Sequence, residues 1–68
     1  MIPITTKQKG MIRGAIRRLA KLLHQTEEHT TAYVKWDAGI DSIESLSKED
    51  ASVFIEHIKW LEEQINAQ

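Results

Sequence analysis

Apolar residues recur at helical spacing in three stretches of the chain, and polar start signals precede each stretch. Placed at about 100° per residue, Met11, Ile12, Ala15, Ile16, Leu19, Leu22 and Leu23 fill one side of a first helix. Lys9, Arg13, Arg17 and Lys21 fill the other side, flanked by Lys7 and Arg18. Thr5 is the N-cap, and Gln8 three residues on completes a capping box. The pattern therefore predicts a helix over about residues 6–24. Ile2 to Ile4 should be extended, because Pro3 fixes its own φ and disfavours helical backbone at Ile2.

Thr26 with Glu27 and Glu28 opens a shorter second helix, about 27–37, since acids in a first turn meet the helix dipole favourably. Its spacing predicts that His29, Ala32, Tyr33 and Trp36 turn inward, and Gly39 supplies a left-handed residue to end it. Asp41 to Ser45 read as a turn or a single helical turn, pinned by Ile40, Ile43 and Leu46. Ser47, followed by Lys48, Glu49 and Asp50, caps a third helix over about 48–66. Its stripe is Ala51, Phe54, Ile55, Ile58, Leu61 and Ile65. No stretch alternates with period two for long enough to make a strand. The expectation is an all-α fold: a small three-helix bundle with a short turn or helical turn between helices 2 and 3. A single domain spans residues 1–68.

Size and composition narrow the picture. A chain this short buries only about 60% of its unfolded surface, so one small core must hold it. Cysteine is absent, which excludes disulfides, thiolate metal sites and thiol nucleophiles. The N-terminus lacks the apolar segment of a signal peptide, and no apolar run approaches the ~18 residues of a membrane span. A cytoplasmic protein is expected, with no membrane partner: helix 1 is basic and amphipathic, but helix 3 offers its apolar side a complementary stripe.

Charge changes the picture most. Residues 1–26 carry six cations and no acid, a formal +6, whereas residues 27–68 carry ten acids against three lysines, a formal −7. The net charge of −1 conceals this division. An unopposed cationic helix face calls for nucleic acid, an anionic surface or the chain's own acidic half. Gly10 and Gly14 lie within that face, where each costs about 1 kcal/mol relative to alanine. A strip without side chains between cationic rows would let a phosphate backbone, or another helix, come near. Lys7, Lys9, Arg13, Arg17, Arg18 and Lys21 are thus the candidate nucleic-acid contacts.

On helix 3, Val53 and Trp60 stand nearly opposite the apolar stripe, with His57 and Gln64 beside them. Val53, His57 and Trp60 are either a protein interface or, if helix 2 or the N-terminal arm covers Trp60, part of the core. Tyr33 and Trp36 read as core rather than as stacking partners for bases. His24, His29 and His57 have no helical i, i+4 pairing with one another and no cysteine beside them, so no metal site or other cofactor is implied. Ser42, Ser45 and Ser47 are turn and cap residues, and no residue is assigned a catalytic role. The chain reads as a binding module, not an enzyme.

Ile4-Thr5-Thr6-Lys7-Gln8 leading into the first helix, and Ile43-Glu44-Ser45-Leu46-Ser47-Lys48-Glu49-Asp50-Ala51-Ser52 leading into the last, together resemble a small helical module of bacteriophages. That module occurs as a tail on phage recombination and single-strand annealing proteins, and in small stand-alone phage regulators. The resemblance implies a setting in DNA metabolism, inside the host cell, with the module binding DNA or docking a protein. No annealing domain is attached here, so the chain acts alone or is an excised piece; Met1 favours the former.

Two functions are therefore expected. The first is a non-catalytic, phage-type accessory protein of DNA metabolism that binds DNA non-specifically, single strands in particular, through the basic face of helix 1. The second is a protein–protein module, an adaptor or inhibitor of a host, replication or recombination protein. A homodimer is compatible with either.

Overall fold

The computed structural model describes residues 1–67 and contains three α-helices: α1, Thr6–Leu23; α2, Glu27–Ala38; and α3, Lys48–Asn66. A single 3₁₀ turn, Ile43–Ser45, precedes α3. The fold is the all-α three-helix bundle that the apolar periodicity predicts.

Each helix starts where its cap dictates. Thr5 and Gln8 form the reciprocal capping box, with the Thr5 hydroxyl accepting from the Gln8 N–H at 3.0 Å and Gln8 Oε1 accepting from the Thr5 N–H at 3.1 Å. The Thr26 hydroxyl accepts from the His29 N–H, and the Ser47 hydroxyl from the Asp50 N–H. At the other ends, α1 and α2 stop at left-handed residues, His24 at φ 55° and Gly39 at φ 71°. Glycine adopts that backbone freely, whereas histidine does so at a cost.

The extended N-terminal arm pairs with the residues that enter α3. The Ile4 N–H donates to the Leu46 carbonyl at 3.1 Å, and the Lys48 N–H to the Ile2 carbonyl at 2.7 Å, forming an antiparallel bridge between Pro3 and Ser47. Pro3 stands at the position whose own N–H the bridge does not need. The Ile2 carbonyl also satisfies one of the otherwise unpartnered N–H groups in the first turn of α3.

α1 and α3 run parallel and pack directly on each other, and α2 returns antiparallel alongside them. Gln8 fixes one end of the parallel pair: its Nε2 donates to the Lys48 carbonyl at 2.8 Å and to the Ser52 hydroxyl at 3.1 Å. Arg18 and Glu62 meet at the other end. The core is Ile12, Ala15, Ile16 and Leu19 of α1, Val34 of α2 and Ala51, Phe54, Ile55 and Ile58 of α3, with Ile4 and Leu46 closing it. Leu23, Ile40, Ile43, Leu61 and Ile65 pack half-buried against its edge.

Two expectations about the buried faces are corrected. In α1 the buried arc is Gln8, Ile12, Ala15, Ile16, Leu19 and Ala20, which leaves Met11 and Leu22 exposed at its rim. In α2 the inward residues are Thr30 and Val34; His29 and Ala32 are exposed, Tyr33 is 41% exposed and Trp36 79%. The Thr30 hydroxyl donates to the Thr26 carbonyl at 2.9 Å, so its polar group is satisfied inside the helix and its methyl is free to pack. Two small β-branched residues one turn apart form the buried face of α2, and the aromatics are rotated outward.

Among the described residues no helix is long and apolar enough to cross a membrane.

Candidate nucleic-acid interface

Because α1 buries one arc against α3 and α2, the opposite arc must face outward. Lys7, Lys9, Arg13, Arg17, Arg18 and Lys21 are all exposed there. Two of them have partners. Arg17 Nε lies 3.5 Å from Glu27 Oε1 with both side chains more than half exposed, and Arg18 Nε lies 3.1 Å from Glu62 Oε1. Glu62 is only 18% exposed, so the Arg18 pair is the better defined of the two. Exposed pairs of this kind are worth about 0–1 kcal/mol, too little to hold either arginine against a competing phosphate. Among the described residues, Lys7, Lys9, Arg13 and Lys21 have no carboxylate within 4.0 Å.

The outer ridge of α1 is open. A Cβ added at Gly10 would meet nothing within 4 Å, and one at Gly14 would meet only the end of the Arg18 side chain at 3.8 Å. Nothing inside the molecule requires glycine at either place.

The ridge is bordered on one side by acid. A cleft of about 280 Å³ between α1 and α2 has Ile12, Ile16 and Ile43 as its floor, Lys9 and Arg13 on one wall, and Glu27, Glu28 and Glu44 opposite. The two charge-biased segments of the sequence are thus not segregated on the surface. A polyanion could follow the line Lys7, Gly10, Gly14 and Lys21, away from these three carboxylates.

The second group of sequence candidates lies on α3. Val53 is 65% exposed and Trp60 53%, so neither α2 nor the N-terminal arm covers them. The half-buried His57 directs Nε2 at Asp37 Oδ2 of α2, 2.5 Å away, and stacks on Trp60 with ring centroids 6.2 Å apart. Tyr33 and Trp36 of α2, which the spacing places inward, are exposed surface groups. Among the described residues no group of three or more His, Asp or Glu side chains converges to hold a metal ion.

Comparison with known proteins finds no match: no family model fits the chain, and no curated protein or solved structure is significantly similar to it.

Proposed function

We propose that this chain is a small, non-catalytic accessory protein of phage-type DNA metabolism that acts in the host cytoplasm and binds DNA through the outer ridge of α1. Lys7, Lys9, Arg13 and Lys21 contact phosphates directly, and Arg17 and Arg18 exchange their weak carboxylate pairs for phosphate oxygens. The observation that carries this reading is that these four cations are exposed and have no carboxylate within 4.0 Å among the described residues. The open surface over Gly10 and Gly14 supports it, because a sugar-phosphate backbone can lie against bare helix there.

Such contacts position a polyanion but carry no sequence information. Binding is therefore sequence-tolerant and sensitive to salt. Engagement of four to six phosphates makes log K fall with log salt at a slope of about −4 to −5. Fluorescence-anisotropy titrations of labelled single- and double-stranded oligonucleotides at several salt concentrations test this. Binding that weakens steeply with salt, and is at least as tight for single strands, is the expected result. Absence of binding at about 50 mM salt, where such contacts are strong, would refute it.

A further inference from the structure

A second surface crosses the groove between α2 and α3. The outward ridge of α3 repeats every seven residues: Val53 and Trp60 form its centre, Glu49, Glu56 and Glu63 one flank, and Asp50, His57 and Gln64 the other. Next to this ridge, where the chain leaves α2, a cleft of about 300 Å³ has Ile40, Leu46, Val53 and Phe54 as its apolar walls and Asp50 and His57 at its margin. Asp37 adds a fifth carboxylate from α2 through its bond to His57. Neither lysine nor arginine occupies any of these positions; Lys59 lies one place off the ridge, 3.7 Å from Glu56.

Large exposed apolar groups beside an apolar cleft, on a ridge whose flanks carry four carboxylates and no lysine or arginine, define the chemistry of an occupant. We propose that this face docks a cationic amphipathic helix of a partner protein. An aliphatic side chain of the partner enters the cleft, its apolar stripe lies along Val53 and Trp60, and its lysines or arginines meet Glu56, Glu63 and Asp50. A second copy of the chain fits this face less well. Pairing α3 with α3 sets these acids against one another, and α1 has already buried Ile12, Ile16 and Leu19 in its own core. The cleft is lined by the end of α2, the connection that follows it and α3, with no residue from α1, so it is separate from the cationic ridge.

Three labelled synthetic peptides of about five helical turns test the proposal by anisotropy: a leucine–lysine amphipathic helix, a glutamine–lysine peptide of the same charge, and a leucine–glutamate helix. The protein should bind the first at least about tenfold more tightly than either of the others. Trp60→Ala and the pair Glu56→Lys with Glu63→Lys should each weaken that binding by about tenfold or more. Lys7→Glu with Lys21→Glu should not weaken it. In Trp36→Phe protein Trp60 is the remaining tryptophan, and its emission should shift to shorter wavelength as the peptide covers it. Equal affinity for the glutamine–lysine peptide would overturn the proposal, as would undiminished affinity in the α3 variants or an unshifted Trp60 spectrum. Light scattering that found a dimer split by Trp60→Ala would overturn it too, by assigning the face to a second copy.

Discussion

Gln8→Glu separates what the three-dimensional contacts of this residue do from what its position in the sequence suggests. At the third position of a capping box glutamate serves as well as glutamine, and an acid in the first turn gains about 0.3–1 kcal/mol from the helix dipole. α1 has no acid in that turn, so local reasoning expects a stabilised protein. The structure predicts the reverse. The Gln8 amide nitrogen donates to the Lys48 carbonyl and to Ser52 across the α1–α3 interface, and the side chain is nearly fully buried. Glutamate keeps the acceptor for the Thr5 N–H but replaces the donor with an oxygen facing a carbonyl oxygen. The Ser52 hydroxyl can rotate to donate, so one hydrogen bond of about 1 kcal/mol is lost outright, with repulsion and partial desolvation of a carboxylate added. Against the dipole gain the net effect is a loss of about 1–2 kcal/mol, which at this size lowers Tm by roughly 5–12 °C. Gln8→Ala, which removes the capping-box bond as well, should cost about 2–3 kcal/mol. Urea and thermal unfolding followed by circular dichroism measure both. A Gln8→Glu protein as stable as the parent would show that the bonds from Gln8 to α3 contribute no more than the dipole gain of about 0.3–1 kcal/mol.

Five further substitutions test other parts of the structure. Gly10→Ala and Gly14→Ala should each stabilise the fold by up to about 1 kcal/mol, since both sites have room for a methyl group; if the bare strip admits phosphates, the double variant should at the same time bind DNA more weakly. Trp36→Ser should change stability by no more than about 0.5 kcal/mol, as for an exposed site, whereas Val34→Ala should cost about 2 kcal/mol; a large loss from Trp36→Ser would restore the inward-facing aromatic arrangement of α2. His24→Gly should stabilise the protein by about 0.5–1 kcal/mol by relieving the left-handed backbone at φ 55°, measured as a shift in urea midpoint; destabilisation would contradict it.

Caps and long amphipathic stripes were the most legible parts of the chain. Thr5, Thr26, Ser47 and Gly39 act on neighbours within a few residues, so local sequence specifies them, and α3 shows the stripe its spacing predicts. α2 was less legible because it contributes one apolar residue to the core. With Trp36 and Tyr33 available as larger apolar groups, periodicity pointed to the wrong arc; Thr30 can enter the core only through its bond to Thr26, which composition does not reveal. The cross-helix role of Gln8 was hidden for a similar reason, since its capping box accounts for the residue locally. The cationic ridge was legible as a face of one helix. Its acidic border was not: Glu27, Glu28 and Glu44 come to share a cleft with Lys9 and Arg13 only once α2 folds back.

The salt dependence of DNA binding by Arg13→Glu with Lys21→Glu tests the role of the α1 ridge most directly. Neither cation has a carboxylate within 4.0 Å among the described residues, so reversing both removes phosphate contacts without breaking an internal pair. The slope of log K against log salt should become shallower by about 1.5–2 relative to the parent, with weaker binding at every salt concentration. An unchanged slope with unchanged affinity would show that DNA does not bind at this ridge.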